Sequence, residues 1–292
     1  MTQQMTPTQQ QARRRKATPR ADAPDRTNAT LIKRVDFNDE LALFRVQPDA
    51  GEVPEFKPGQ YSTLGLMESP EETRARARET GRAPKPRPVL RAYSIASSAE
   101  ERGYLDFLIV LVPEGNLTPR LWQLGEGDRL ILGPKITGKF TLDGIPDGKD
   151  LVAVATGTGL APFLSMLRTY RGTGKWRKFV VIHGTRLAAD LGYREELEQI
   201  AGEDDSVVYV PTVTREPETS NWQGLRGRVH VALEPETYER IVGQPLDAEQ
   251  CHVLLCGNPA MIDQVSEDLA PLGFQVRNRE NPEGNVHFES YW

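Results

Sequence analysis

Apolar and polar residues follow two different patterns along the chain, and the change falls near Pro146–Asp150. From Thr30 to Gly138, short apolar runs that partly alternate with polar residues are separated by turn residues such as Pro58-Gly59. A period of two with glycine and proline between the runs predicts the strands of an antiparallel β-barrel. The predicted strands are Leu31–Phe37, Leu41–Val46, Tyr61–Leu66, Leu90–Ile95, Tyr104–Val112 and Asp128–Leu132.

One short helix is predicted between the last two barrel strands. Thr118 followed by Pro119 is a favourable cap and first-turn pair. Leu117, Leu121 and Leu124 are spaced as on one face of a helix. We therefore expect a helix to begin at Thr118.

After residue 148 the pattern changes to apolar strands that alternate with longer amphipathic segments. This order predicts a parallel sheet covered by helices. We therefore predict two domains, an N-terminal antiparallel Greek-key β-barrel at 29–147 and a C-terminal α/β parallel-sheet domain at 148–292. The strand candidates are Leu151–Ala155, Phe179–His183, Val207–Val213 and His252–Cys256, and the helix candidates are Ala161–Arg171, Arg194–Ala201 and Pro259–Leu269.

Two segments belong to neither pattern. Residues 1–28 contain Arg13-Arg14-Arg15, Lys16 and Arg20 but no apolar segment after them, which predicts a disordered basic tail and not a targeting signal. Glu68–Pro88 is rich in Arg, Glu and Pro and has almost no large apolar side chain. It predicts a long exposed insertion between two barrel strands.

Composition excludes several classes of protein. The residues are 38% hydrophobic and 26% charged, and no apolar run is long enough to span a bilayer. A net charge of −5 argues against a nucleic-acid-binding protein. Cys251 and Cys256 are the only cysteines, too few for a disulfide framework, which is typical of a cytoplasmic protein. The histidines have no ligand-like spacing, so no metal site is predicted.

The strongest chemical signal is the segment Arg91-Ala92-Tyr93-Ser94 on a predicted strand. Arg91 can bind a phosphate, and Tyr93, two residues further on the same strand face, can pack against a flat heterocycle. The hydroxyl of Ser94 can hydrogen-bond the edge of a ring. A polar edge strand without a ligand is the alternative interpretation.

This segment, continued by Ile95-Ala96-Ser97, resembles the flavin signature Arg-x-Tyr-Ser of the bacterial ferredoxin–NADP reductase family. The resemblance covers the chain from residue 29 to the end and implies that the barrel binds FAD and the α/β domain binds NADP. It implies that Tyr93 packs on the isoalloxazine ring, that Ser94 approaches its N5 atom, and that Arg91 contacts the pyrophosphate. Ala92 belongs to the same signature.

A second segment, Gly115-Asn116-Leu117-Thr118, precedes the predicted barrel helix. The free N–H groups at the start of a helix suit a diphosphate. The segment is similar to the family's Gly-x-Leu-Thr/Ser loop, which implies that it binds the FAD phosphates. A helix cap without a ligand would explain Thr118 equally well.

A glycine-rich turn follows the first predicted strand of the α/β domain. Gly157 and Gly159 let the backbone turn sharply and approach a pyrophosphate, and Pro162 fits a first helical turn. Together with Thr156 and Thr158, these residues are similar to the Gly-x-Gly-x-x-Pro loop of the family. The similarity implies that this turn binds NADP.

Two arginines follow predicted strands at the edge where parallel sheets bind ligands. Arg186 follows the strand Phe179–His183, and Arg215 follows Val207–Val213. Two guanidinium groups suit the 2′-phosphate that NADP has and NAD lacks, and similar segments hold NADP in the family. We therefore predict NADPH as the nucleotide, with surface ion pairs as the alternative role of both arginines.

The last predicted strand and the C-terminus complete the candidate site. Cys256-Gly257 resembles the family's Cys-Gly-x-Pro segment, which implies that Cys256 lies beside the nicotinamide and acts with Tyr93 and Ser94 in catalysis. Packing of a small apolar residue is the alternative for Cys256. The terminal pair Tyr291-Trp292 resembles the Tyr-Trp ending of bacterial members, which implies that an aromatic ring stacks on FAD.

The resemblance implies a monomeric cytoplasmic enzyme that passes a hydride between NADP(H) and FAD and exchanges single electrons with ferredoxin or flavodoxin, in either direction. Two cysteines cannot hold a four-thiolate iron–sulfur cluster, so the one-electron centre must be on another molecule. A flavoprotein reductase that serves an oxygenase or a cytochrome would share FAD and most of the motifs. A flavin-binding sensor or interaction protein without turnover is the alternative of another class.

The insertion before Arg91 gives rise to a hypothesis about the carrier. An acidic ferredoxin or flavodoxin could dock on its basic residues, in which case deletion of Glu68–Pro86 would weaken reduction of the carrier but not of ferricyanide. An inert linker is the alternative. The basic residues are Arg74, Arg76, Arg78, Arg82, Lys85 and Arg87.

Overall fold

The first half of the molecule is a closed antiparallel barrel. The computed structural model describes residues 26–291. The barrel strands are β1 (Ala29–Asp36), β2 (Leu41–Pro48), β3 (Tyr61–Met67), β4 (Pro88–Ser94), β5 (Leu105–Val110) and β6 (Arg129–Leu132). They form an antiparallel sheet in the order β4-β3-β6-β1-β2-β5. A bridge between Ile95 and Phe107 joins the continuation of β4 to β5, which closes the barrel.

Apolar side chains that alternate along paired strands fill the barrel. Leu31 pairs with Val46, and Phe44 pairs with Phe107. All four are completely buried in one cluster. Because successive side chains of a strand point to opposite faces, this packing explains the period of two in the sequence.

The second half is a parallel sheet. Its strands are β7 (Asp150–Thr156), β8 (Lys178–Thr185), β9 (Val207–Val213), β10 (Leu225–Arg226), β11 (Cys251–Gly257) and β12 (Val286–Ser290). They lie in the order β10-β9-β8-β7-β11-β12, and every pair is parallel. Leu151 and Ala153 of β7 enter one apolar cluster, whereas Val152 and Val154 enter another. Both faces of the sheet are therefore covered, and the fold class predicted from the sequence is confirmed.

Six α-helices accompany these strands within residues 26–291. They are α1 (Pro70–Thr80), α2 (Thr118–Leu121), α3 (Ala161–Tyr170), α4 (Arg194–Glu203), α5 (Pro235–Val242) and α6 (Pro259–Leu269). The sequence patterns did not predict α1, α5, β10 or β12. The predicted change of domain near Pro146–Asp150 lies between β6 and β7, and the domain boundaries stay a prediction.

The predicted helix after the Gly115–Thr118 loop is only one turn long. The hydroxyl of Thr118 does not cap it. This hydroxyl instead accepts a hydrogen bond from the N–H of Val112 at 2.9 Å and donates one to the Val112 carbonyl at 3.0 Å. The prediction that Thr118 is a side-chain cap was wrong, because its hydroxyl closes the preceding loop.

The insertion contains a helix that the sequence analysis did not predict. Among the residues of α1, only Thr73 is buried. A capping box specifies the start of the helix: Ser69 accepts a hydrogen bond from the N–H of Glu72 at 3.1 Å, and the Glu72 carboxylate accepts one from the N–H of Ser69 at 2.6 Å. Helix α1 is stabilised at its ends and has no apolar stripe, and prediction from hydrophobic periodicity requires such a stripe.

A shared apolar core joins the barrel to the parallel sheet. Leu41, Leu108 and Phe140 pack in the same buried cluster as Leu160 and Phe163. Phe37 also contacts Tyr193 with ring centroids 5.0 Å apart. Burial of apolar surface on both sides makes the relative position of the two sheets specific.

Arg168 of α3 adds polar contacts to this interface. Its guanidinium donates to the Ala96 carbonyl at 2.8 Å and binds the Glu196 carboxylate through two hydrogen bonds. It also lies 3.8 Å from the carboxylate of Asp106, a buried residue of β5 that accepts two hydrogen bonds from Arg45. Arg168 therefore connects the barrel with two helices of the second half.

Within residues 26–291, no helix combines the length and apolar character needed to cross a membrane.

We expect Asp106→Asn to lower the free energy of unfolding by about 3 kcal/mol, since it removes the buried carboxylate that pairs with Arg45. Urea unfolding followed by circular dichroism measures the effect. Glu198→Gln is the control, because it breaks an exposed ion pair with Arg194 at 2.6 Å, and we expect a loss of no more than about 0.5 kcal/mol. Equal losses in the two variants would contradict the importance of the buried contact.

Candidate active site

The candidate site lies where the end of β4 meets the carboxyl ends of β11 and β12. Cys256 of β11 is the direct pairing partner of Glu289 of β12. The hydroxyl of Ser94 lies 3.5 Å from Oε2 of Glu289 and donates to it. The barrel and the parallel sheet therefore contribute neighbouring side chains to one cleft. Sequence reasoning missed Glu289, because an isolated acid near a terminus carries no local signal.

Tyr291 ties this cleft to the glycine-rich turn. Its hydroxyl donates to the Thr158 carbonyl at 3.1 Å, and its N–H lies 3.5 Å from the carbonyl of Gly257. Its side chain also interacts with Ser94 and Cys256. The predicted partner in the terminal pair, Trp292, lies outside the described residues.

Burial controls the protonation of these side chains. Loss of solvent raises the pKa of Glu289 to about 7 and that of Tyr93 to about 12. Burial also raises the pKa of the Cys256 thiol and of the Tyr291 phenol. The thiol is therefore protonated at neutral pH, whereas the carboxyl of Glu289 can gain or lose a proton there.

The signature residues of β4 form the barrel side of the cleft. Tyr93 is half-buried, and its ring edge meets Phe107 at a centroid distance of 6.5 Å. Arg91 and Ala92 are both exposed. The guanidinium of Arg91 donates a hydrogen bond to the Leu90 carbonyl at 2.8 Å. Arg91 and Tyr93 project from the same side of the strand, because they are two residues apart.

The Gly115–Thr118 loop has the donors that a diphosphate requires. The N–H of Gly115 donates to the Val112 carbonyl at 2.9 Å. Within residues 26–291, the N–H groups of Asn116, Leu117 and Thr118 have no hydrogen-bond partner. A Cβ atom on Gly115 would lie 3.0 Å from the carbonyl oxygen of Val112, so a larger residue would crowd this turn. These free donors fit the FAD diphosphate.

The turn after β7 is similarly suited to a nucleotide phosphate. Gly157 has a φ of +55°, and a Cβ atom there would have no neighbour within 4 Å, so its surroundings are open. Gly159 has no such space, because a Cβ atom would lie 2.2 Å from the carbonyl oxygen of Cys256. The turn leads directly into α3, with Pro162 in its first turn. Thr156 accepts a hydrogen bond from the N–H of Asn258 at 3.0 Å.

His183 of β8 packs beneath the sheet end of this turn and contacts its backbone at Gly157. It is fully buried, and burial lowers its pKa to about 4, so the ring is neutral. Its Nε2 atom lies 3.1 Å from the Gly157 carbonyl, and its Nδ1 atom lies 3.4 Å from the Tyr209 hydroxyl. Within the described part of the chain, no group of side chains is suited to hold a metal ion.

Arg186 and Arg215 lie together at the same edge of the sheet. The N–H of Arg215 donates to the Arg186 carbonyl at 2.8 Å, and both residues are exposed. Neither guanidinium forms an ion pair with any residue between 26 and 291. Within these residues, the alternative role of both arginines in surface ion pairs is therefore not observed. The structure adds Arg228, exposed just after β10, which the sequence analysis missed because β10 is only two residues long.

The order of the strands separates these arginines from the cleft. β8 lies two strands from β11, and β9 lies three strands from it. At about 4.8 Å per strand, Cys256 is roughly 10 to 14 Å from the strand ends that precede the arginines. An extended dinucleotide can span this distance, with its reactive ring at Cys256 and its adenosine phosphate at the arginines.

A barrel with phosphate donors beside a nucleotide-binding parallel sheet defines an FAD- and NAD(P)-dependent oxidoreductase. Residues 80–140 match the family described as oxidoreductase FAD-binding domain, and residues 153–267 match the one described as oxidoreductase NAD-binding domain. The chain is 30% identical to a ferredoxin–NADP reductase of Pseudomonas aeruginosa over 87% of its length and 92% of the relative. It belongs to the ferredoxin–NADP reductase family.

Two further comparisons agree. A flavodoxin/ferredoxin–NADP reductase of Shigella flexneri is 31% identical over 86% of this chain and 93% of the relative. The crystal structure of a ferredoxin NADP+ reductase from Neisseria gonorrhoeae with bound FAD and NADP is similar with a TM-score of 0.75 and 25% identity. That match covers 91% of this chain and 98% of the other. The matched families therefore assign an FAD-binding and an NAD-binding domain to this chain.

The raised pKa of Glu289 predicts a pH-dependent stability. Its pKa of about 7 exceeds the ordinary value of 4.5, so the folded state binds this proton more tightly and stability falls as the pH rises through that window. We expect Glu289→Gln to reduce the loss of unfolding free energy between about pH 5 and about pH 8. Urea unfolding at both pH values measures it. Glu283→Gln, at an exposed position, should behave like the unmodified protein, and an unchanged pH dependence in Glu289→Gln would contradict the assignment.

Proposed function

We propose that the protein transfers a hydride between NADP(H) and FAD and single electrons between FAD and a separate ferredoxin or flavodoxin. The observation that carries this proposal is the contact between Ser94 of the barrel and Glu289 of the parallel sheet, beside Cys256. It brings the residues expected to meet flavin and those expected to meet nicotinamide to one cleft. Two flat rings can then touch there.

FAD supplies the chemistry, since it accepts a hydride and releases its electrons one at a time. In this proposal, Tyr93 packs against the flavin and Arg91 with the Gly115–Thr118 loop binds its phosphates. The protonated thiol of Cys256 contacts the nicotinamide and does not act as a nucleophile. Ser94 and Glu289 hold a proton beside the flavin, which is supported by their 3.5 Å contact and the near-neutral pKa of Glu289.

A cavity of about 620 Å³ next to this cleft supports an electron carrier as partner. Glu289 lines it, so the cavity is adjacent to the expected position of the flavin. Lys139 and Arg277 line the same cavity together with an ion pair between Lys57 and Asp143, and the side chain of Phe288 is 49% exposed there. A basic rim around an exposed aromatic ring suits an acidic protein surface.

This cavity is a better docking surface than the insertion before β4. Ser94 and Pro88 are at opposite ends of β4, so the base of the insertion is about 20 Å from the flavin end of the strand. Of the basic residues considered there, Arg76 is also neutralised, because it binds Glu68 at 2.8 Å. We therefore transfer the proposed carrier site from the insertion to the cavity.

Anaerobic rapid mixing tests the proposal directly. NADPH should bleach the yellow protein, and the reduced protein should then be reoxidised by ferredoxin or flavodoxin. Reoxidation by an oxygenase component or a cytochrome instead would favour the other class of reductase. No bleaching would indicate a flavin-binding protein without turnover.

Two free, buried cysteines within residues 26–291 are compatible with the reducing cytoplasm that we propose as the location of the protein.

The arginines after β8 and β9 should determine the choice of nucleotide. We expect Arg186→Ala and Arg215→Ala each to raise KM for NADPH about tenfold or more, because a charge-assisted hydrogen bond to the 2′-phosphate is lost. KM for NADH should change little. Steady-state ferricyanide reduction with both nucleotides measures this. Arg240→Ala, at an exposed position of α5, is the control, and equal effects on both nucleotides would contradict the assignment.

Reversal of a charge at the cavity should impair carrier reduction. We expect Lys139→Glu to slow reduction of ferredoxin about tenfold at low ionic strength and less at high salt, because it weakens electrostatic steering. Ferricyanide reduction should remain nearly unchanged. Lys33→Glu, on the exposed surface of β1, is the matched control. If both variants slow ferredoxin equally, the cavity is not the docking surface.

A further inference from the structure

The segment between β3 and β4 is a folded flap, defined here as residues 68–87. Glu68 closes it at the base. The N–H of Glu68 donates to the Arg87 carbonyl at 2.8 Å, and its carboxylate accepts a hydrogen bond from the N–H of Arg87 at 3.0 Å. The same carboxylate accepts two hydrogen bonds from Arg76 of α1, and this contact lowers the pKa of Glu68 to about 2. The flap is therefore an ordered unit and not a loose linker.

The flap is attached to the loop expected to bind the FAD phosphates. Arg120, which follows that loop in α2, donates a hydrogen bond to the Met67 carbonyl at the start of the flap. Its Nη1 atom is buried and lies 3.5 Å from a carboxylate oxygen of Glu72 in α1. Arg120 thus connects the flap to the Gly115–Thr118 loop.

The face of β4 that carries Arg91 and Tyr93 continues into the flap. Arg87, Val89, Arg91 and Tyr93 alternate with residues of the opposite face, so they share one side of the strand. Val89 and Tyr93 both pack against the apolar cluster that contains Leu117. Two side chains of this face therefore pack against the same apolar cluster to which the phosphate loop contributes Leu117. Arg87 is about 13 Å beyond Arg91 along the strand.

Arg87 is placed to bind a ligand. Its backbone is held on both sides by Glu68, whereas its side chain is exposed. No residue between 26 and 291 forms an ion pair or hydrogen bond with its guanidinium. A flavin at Tyr93 with its diphosphate at Arg91 leaves the adenosine half to extend along the same face. An arginine there can bind a phosphate oxygen or stack on the adenine ring.

We propose that residues 68–87 form the adenylate side of the FAD site, in which Arg87 binds the AMP half of FAD and Arg120 holds the flap against the phosphate loop. The flap then serves retention of the cofactor and not docking of the carrier. The proposal rests on the FAD roles proposed for Tyr93 and Arg91. It is independent of the carrier, since equilibrium binding of FAD requires neither NADPH nor ferredoxin.

Titration of the apoprotein with FAD and with FMN tests this role, with quenching of flavin fluorescence as the readout. FMN lacks the AMP half of FAD, so its Kd reports only the part of the site that binds the flavin and its phosphate. We expect Arg87→Ala to raise the Kd for FAD about tenfold and to leave the Kd for FMN unchanged. Arg87→Gln should give an intermediate loss, because it keeps hydrogen-bond donors without the charge. Arg82→Ala, at another exposed position of the flap, should change neither value.

A second variant examines the whole flap. Replacement of residues 70–85 by a short Gly/Ser turn keeps Glu68 and Arg87 but removes Arg76, which binds Glu68, and Glu72, which contacts Arg120. We expect it to weaken FAD more than FMN, since the base of the flap is no longer held in place. Unchanged FMN binding also demonstrates that each variant is folded. Equal weakening of FAD and FMN in Arg87→Ala would overturn the proposal. Unchanged FAD affinity with slower reduction of ferredoxin would overturn it in favour of carrier docking.

Discussion

The attachment of the barrel to the parallel sheet is the interaction on which the rest of the structure depends. The guanidinium of Arg168 reaches the Ala96 carbonyl of the barrel while it binds Glu196 of the second half. Leu41 and Leu108 of the barrel enter the same buried cluster as Phe163. Because interiors are close-packed, such an interface permits little sliding. The position of Ser94 relative to β11 and β12 follows from this attachment.

Strand register then converts the attachment into a chemical site. Parallel pairing of β11 with β12 sets Cys256 beside Glu289 and leads the chain on to Tyr291. The same pairing removes these groups from water, which raises the pKa of Glu289 to about 7 and keeps Cys256 protonated. A carboxyl that would be fully ionised on the surface can therefore exchange a proton at neutral pH. Its reactivity is a consequence of the fold and not of its sequence neighbours.

Sequence reasoning predicted the parts of this molecule that are encoded locally. The alternation along β2 and the apolar run of β7 predicted two kinds of sheet, because each strand carries its own periodicity. Glu289 and Arg228 could not be found in this way, since each is a single polar residue whose significance comes from strands distant in sequence. Helix α1 was missed for another reason: it depends on the Ser69–Glu72 capping box and on ion pairs, and it has no apolar stripe.

The two ends of strand β4 meet different functional requirements, one close to the flavin and one far from it. Electron transfer to a carrier requires a surface close to the flavin, and the cavity beside Glu289 adjoins the Ser94 end of the strand. Retention of a dinucleotide requires contacts far from its reactive ring, and the flap begins at the Pro88 end. Binding energy from a remote part of a ligand can hold the reacting part in position without obstructing it. A basic insertion at the far end of β4 is thus compatible with an open flavin edge, whereas one at the Ser94 end would block the carrier.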